Sequence, residues 1–170
     1  EERSMAEARD ATVLAEILGG ASTADAHHIT APSPGGGGAI ACMEMAIEEA
    51  GIPTGAIGYI NAHGTSTPLN DMAEAEAIGK LFGSPGPPVS STKGVTGHAL
   101  GAAGALEAIA VVMAIQHGLL PPTAGYATRD PDMPELNLVH GAPLAWAPAP
   151  ALSNSFGFGG HNGCLVIGPA

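Results

Sequence analysis

Apolar and polar positions along the chain change period several times, and each change marks an element. Residues Val13 to Gly20 form an apolar run that predicts a strand, and the polar, glycine-rich stretch "STADAHHITAPSPGGGG" after it reads as a loop. From about Ala39 to Ala50 the pattern takes a helical period and stops at Gly51, a residue suited to ending a helix. "AIGYINA" predicts a second strand, "PLNDMAEAEAIGKLFG" a helix with proline in its first turn and glycine at its end, and "PPVSSTK" a short strand. This alternation of strand and helix predicts a mainly parallel sheet. The tail "APALSNSFGFGGHNGCLVIG" predicts a closing hairpin of two strands around a glycine-rich turn.

One segment departs from amphipathic patterning. From Gly97 to about Gly118 the polar residues are only His98, Glu107, Gln116 and His117, so the predicted helix is apolar on nearly every side and needs cover all round. Its length would also suit a membrane span. An ionisable Glu107 in mid-span and the lack of a basic flank argue against that reading, and no membrane span is expected. "LLPPTAGYATRDPDMPELN" reads as a proline-rich connection.

Composition supports the need for cover. Charged residues make up 12% of the chain and hydrophobic residues 45%, against about 25% charged in an ordinary soluble domain. The 170 residues fit one domain, residues 1–170. A net charge of -11, with only Arg3, Arg9, Lys80, Lys93 and Arg129 positive, excludes a surface that tracks nucleic acid. Cys42 and Cys164 match no zinc or redox spacing and no signal-peptide pattern opens the chain, so a reducing, cytoplasmic setting is the expectation.

Three segments place polar groups or bare backbone at the end of a predicted strand: "NAHGTSTP", "SSTKGVTGHALGAAGALE" and "NSFGFGGHN". In α/β sheets that is where sites form. Lys93 and His98 flank a predicted helix start, whose dipole disfavours an imidazolium and favours a neutral His98 offering an N–H. Two neutral imidazoles, His63 and His98, that both donate hydrogen bonds would stabilise a developing enolate or thioester oxyanion. In the helix after His63, Asp71, Glu74, Ala75, Ile78, Leu81 and Phe82 recur on one face, which puts two carboxylates among apolar residues. Buried acids need partners, and Lys93 is one of few cations available.

"NAHGTSTPLND", "STKGVTGHALGAAGALE" and "NSFGFGGHNG", in this order, resemble the C-terminal half of a β-ketoacyl-acyl-carrier-protein synthase, an elongating condensing enzyme of fatty-acid and polyketide synthesis. The resemblance runs from about Val13 to Ile167 and implies an α/β, thiolase-like fold. In such a fold two related halves, each a helix-flanked sheet, stack on each other; only the second half is matched here, and the apolar helix would face the missing one.

The resemblance also implies a reaction and its residues. A cysteine takes an acyl chain from acyl carrier protein, malonyl-carrier protein loses carbon dioxide, and the enolate attacks the thioester. His63 and His98 would bind the malonyl thioester carbonyl, and Lys93, with Glu107, Asp71 and Glu74, would hold His98 and the local charge. The backbone N–H of Phe158 would form one side of an oxyanion hole while its ring gates the acyl pocket, and Thr65 and Thr67 would bind phosphopantetheine from the same side of an extended segment. No cofactor is implied for the chain itself, since the substrate rides on the phosphopantetheine of the carrier protein. The implied partners are the N-terminal half, acyl carrier protein, and a second copy or a chain-length factor.

The attacking cysteine belongs to a motif of the first half that is absent here. Cys42, inside a helix, and Cys164, in the closing strand, read as buried thiols. His27 and His28 are adjacent in a loop, poor geometry for shared metal ligation, and His161 reads as orienting the glycine turn. The alternative function is a non-catalytic partner similar to chain-length factors.

Overall fold

A computed structural model describes residues 1–170. The chain opens with a short helix, α1 (Arg3–Ala8), and enters the sheet through β1 (Glu16–Ala24). Helix α2 (Gly37–Glu49), strand β2 (Tyr59–Asn61), helix α3 (Pro68–Phe82), strand β3 (Pro88–Ser90) and the single turn α4 (Lys93–Thr96) follow. Helix α5 (Ala103–His117) leads to the short strands β4 (Leu119–Leu120), β5 (Asn137–Leu138) and β6 (Leu144–Ala145). The chain closes with the hairpin of β7 (Ala151–Gly157) and β8 (His161–Gly168).

One sheet has the order β1-β8-β7-β2-β3-β5, and β4 pairs with β6 separately. The strands β7, β2, β3 and β5 run parallel, whereas β1, β8 and β7 pair antiparallel. Alternation sorts the side chains onto two faces. Ile60, Val89, Leu152 and Val166 meet Cys42, Met43 and Ala46 of α2 and Ile78 of α3, while Tyr59, Ala151 and Ile167 meet Val111, Ala114 and Ile115 of α5. A fully buried side chain of this size stabilises by about 1.5–3 kcal/mol, so replacing Leu152 by alanine costs about 2–5 kcal/mol once the cavity is included.

Two expectations need correction. Strand β1 begins later and runs further than Val13–Gly20, because Ser22, Thr23 and Ala24 pair with Gly163, Asn162 and His161 of the long β8. Ladder hydrogen bonds there outweigh the polar side chains that suggested a loop. The predicted helix from Gly97 is not continuous: Gly97 ends α4 with φ 69°, a 3-10 turn covers Leu100–Ala102, and regular helix begins at Ala103. As expected of a helix that would also face a missing half, α5 is not covered all round within this chain. The helix α5 lays Ala103, Glu107, Val111 and Ala114 on the sheet, but its opposite face leaves Leu106, Ile109 and Met113 exposed, because one sheet covers one side only. The stretch Leu100–His117 has the length and hydropathy of a membrane span, and its buried Glu107 is paired with Lys93.

Candidate active site

Parallel strands end together, and three neighbours in this sheet deliver the candidate residues to one edge. His63 follows β2, Lys93 follows β3, and Phe156 and Phe158 lie at the end of β7. His98 arrives from the loop after α4.

The turn after β2 is fixed from both sides. Glu74, buried on α3, accepts the backbone N–H of His63 at 2.9 Å and that of Gly64 at 2.9 Å. Ser91 Oγ donates to the Gly64 carbonyl at 2.9 Å. Gly64 has φ +42°, and a Cβ there would lie 2.6 Å from the Ser91 Cβ, so this position admits only glycine without rearrangement.

Lys93 lies directly beneath this turn. Its buried Nζ donates to the His63 carbonyl, to the Glu107 carboxylate, and to His63 Nδ1 at 3.2 Å. With Nδ1 occupied as an acceptor, the neutral His63 ring carries its proton on Nε2. Burial, then the Lys93 charge, then His98 push the His63 imidazole down to a pKa of about 3, so it is neutral at physiological pH. Burial pushes the Glu107 carboxyl up and Lys93 pulls it back down. The second Glu107 oxygen, Oε2, has no hydrogen-bond partner.

His98 sits exposed on its loop, and its Nδ1 accepts the Leu100 N–H at 3.2 Å. This bond likewise leaves the proton of the neutral ring on Nε2. The two imidazoles lie with centroids 5.4 Å apart and planes at 85°. Two neutral N–H donors from rings this close can share one developing oxyanion.

The supporting residues are arranged differently from expectation. Lys93 and Glu107 hold His63 rather than His98, because β3 ends beside β2 while His98 comes from a separate loop. Lys93 is also not the partner of Glu74 or Asp71. Glu74 is met by amide donors, and Asp71 is half-buried in the first turn of α3 with Asn70 against it at 3.1 Å. The segment carrying Thr65 and Thr67 is not extended: Ser66 has φ 62°, a left-handed conformation that turns the chain. Both hydroxyls still lie on one side, hydrogen-bonded to each other at 2.8 Å. The expectation that a helix N-terminus sets the state of His98 is corrected too, since regular helix starts only at Ala103.

Phe158 lies in the turn between β7 and β8 and is 79% exposed. The aromatic packed on His63 is Phe156, with centroids 5.8 Å apart, a residue that sequence reasoning passed over. Its signal was present in "SFGF", where residues two apart in a strand share a face. His28 Nδ1 accepts the N–H groups of Thr30 and Ala31, each at 3.1 Å, and so stabilises its own loop. Cys42 and Cys164 are both buried.

Two cavities adjoin these residues. One of about 1130 Å³ touches His63, His98, Thr65, Thr67, Phe156 and Phe158 together. The other, about 510 Å³, lies behind the turn against Lys93, Glu74, Asp71 and Arg129 and does not reach His63 or Phe158. The larger one is the candidate substrate cleft, because only it presents both imidazoles to one ligand.

Comparison with known proteins identifies the family and the fold. The family described as "Beta-ketoacyl synthase, C-terminal domain" matches residues 14–127. The chain is 48% identical to a 3-oxoacyl-[acyl-carrier-protein] synthase 2 of Synechocystis sp., over 98% of this chain and 40% of that protein. It is 46% identical to the chloroplastic 3-oxoacyl-[acyl-carrier-protein] synthase II of Arabidopsis thaliana, over 99% of this chain and 31% of that protein. Among solved structures, the ishigamide ketosynthase/chain length factor superposes with a TM-score of 0.95 at 37% identity, covering 100% of this chain and 41% of that one. A type II polyketide ketosynthase in complex with its acyl-carrier protein gives 0.96 at 35% identity, covering 100% and 42%. The fold is therefore that of the ketosynthases, as the motifs led one to expect, and the chain spans less than half the length of these relatives. The chain belongs to the β-ketoacyl synthase C-terminal domain family.

Proposed function

We propose that residues 1–170 are the C-terminal half-domain of a condensing enzyme and supply the enolate-stabilising part of its site. The observation that carries this reading is the pair of imidazoles, His63 and His98, with ring centroids 5.4 Å apart and each with Nδ1 accepting from a donor, which leaves Nε2 as the nitrogen that can present an N–H. In the proposed reaction the C–C bond to the malonyl carboxylate breaks, carbon dioxide leaves, and the electron pair moves onto the thioester oxygen. The two Nε2–H groups stabilise that charge. The enolate carbon then attacks the acyl thioester on the cysteine of the N-terminal half, and the cysteine leaves as a thiolate. The Phe158 N–H would receive the second oxyanion, and Thr65 and Thr67 the pantetheine amides. Lys93, Glu107 and Glu74 hold His63, with Asp71 at the edge of the group.

The carrier-protein complex among the solved relatives supports an acyl-carrier protein as the substrate's carrier. The proposed reaction calls for no cofactor held by the chain itself. The setting proposed is a soluble compartment; the plant relative's printed name, chloroplastic, extends this beyond the cytoplasm. The ketosynthase/chain length factor relative supports a second reading, in which this half belongs to a non-condensing partner subunit.

One experiment separates the two. The complete protein should decarboxylate malonyl-carrier protein, and His63→Ala or His98→Ala should slow that step about 100- to 1,000-fold while leaving alkylation of the nucleophilic cysteine unchanged. A complete chain with no reactive cysteine and no decarboxylation supports the partner reading. Full activity in either alanine variant removes the role given to that histidine.

A further inference from the structure

Glu74 is a buried acid that no cation touches, and all of its hydrogen-bond partners donate. They are the N–H groups of His63 and Gly64 and, at 3.1 Å, the side-chain amide of Asn154. Burial, and to a smaller extent the nearby Asp71 charge, push the Glu74 carboxyl up, and the same three donors oppose it. A proton on Glu74 would face donors alone and find no acceptor, so the geometry favours the anion.

Asn154 is fully buried on β7, on the same face as its cross-strand neighbour Cys164. The Cys164 thiol donates to Asn154 Oδ1 at 3.3 Å, and Met43 Sδ takes an Nδ2 hydrogen at 3.5 Å. With a carboxylate at one end, the amide has only one workable orientation, nitrogen toward Glu74 and oxygen toward the thiol. A directed chain thus runs from Cys164 through Asn154 and Glu74 to the backbone of the His63 turn.

We propose that Asn154 is a positioning residue of the condensing site, fixing through the Glu74 carboxylate the turn that presents the His63 ring. It touches no substrate. The assignment rests on the condensing reading for its effect on rate, though not for its effect on the turn. A pure packing role would require only volume at this position, whereas positioning requires an amide donor aimed at Glu74.

The test uses the complete ketosynthase. Asn154→Ala should lower the decarboxylation kcat about 10- to 100-fold, the scale of a slightly misplaced catalytic group, with KM for malonyl-carrier protein changed by less than about twofold. Glu74→Gln should lose a similar amount, and the double variant should fall no further than the worse single, because both act on one turn. Asn154→Asp sets two carboxylates together, one of which must hold a proton, so its rate should climb steeply between about pH 8 and about pH 6 where the wild-type rate does not. Additive losses in the double variant, or an Asn154→Asp profile parallel to wild type, overturn the proposal. If Asn154→Asp does not fold, the alanine and glutamine cycle decides alone. Nitrogen NMR of the His63 ring gives a readout independent of turnover: Asn154→Ala should move its signals, and unmoved signals overturn the proposal. A wild type that does not decarboxylate overturns the condensing reading instead and leaves the NMR arm to judge Asn154.

Discussion

His63 and His98 lie with ring centroids 5.4 Å apart, yet the chain holds them by opposite means. His63 is 4% exposed, and its turn is tied to Glu74 of α3 and to Ser91 and Lys93 on the segment after β3. His98 stands in solvent on a loop, with one backbone hydrogen bond to its ring, beside the exposed Val95 and Leu100. The half-fold therefore carries everything needed to preset one donor and leaves the other at an uncovered edge. A buried donor resists displacement because each of its ties is shielded from water; a surface loop held by one bond opens at little cost.

The largest effect should come from cutting the buried side of this comparison. Lys93→Met removes the cation under His63 and leaves Glu107 with no partner on either oxygen, since Oε2 already has none. Urea unfolding of the complete protein should show a loss of about 3–5 kcal/mol, most of it recovered in the double variant Lys93→Met/Glu107→Leu, which removes the stranded charge. The matching cut on the exposed side, His98→Ala, should change stability by less than about 0.5 kcal/mol. Equal losses at both positions would erase the distinction.

Acidity probes the same difference. The folded His63 titrates at about 3 against an ordinary 6.5, so between these values the unfolded chain takes up a proton that the folded chain refuses. Its contribution to stability is complete above pH 6.5 and is lost as pH falls toward 3. The C2 proton of His63 should hold its NMR position from about pH 8 to about pH 5, and a midpoint near the ordinary imidazole value would show that the ring is solvated instead.

The smallest effect is expected beyond the buried turn, at Thr67, where the hydroxyl meets only Thr65. Thr67→Val should raise the KM for malonyl-carrier protein about 2- to 13-fold, the worth of one neutral hydrogen bond, with little change in decarboxylation. A lowered melting temperature with an unchanged KM would instead mean that the pair of threonines serves the turn alone.

Sequence by itself determined the elements, the two-faced sheet and the three segments that meet at its edge. Those features are local: period two or helical period sets which face is apolar. It also placed Glu74 on the core side of α3, because helical spacing alone fixes a face, while Asp71 on the same face is only half-buried. Partner choice was not legible. Lys93 joins His63 and Glu107 because β3 lies beside β2 and α5 packs on the same sheet against Tyr59 of β2 and the β7–β8 hairpin, a consequence of strand order that spacing along the chain does not encode. Glu74 takes amide donors rather than a cation for the same reason, with Asn154 reaching it from β7, eighty residues away in sequence. The short strands β4, β5 and β6 were illegible because two residues carry no period, and only neighbours already in place give them a ladder. Helical pattern likewise called for continuous helix from Gly97, whereas tertiary structure broke it so that His98 could leave the helix and come to the ring of His63.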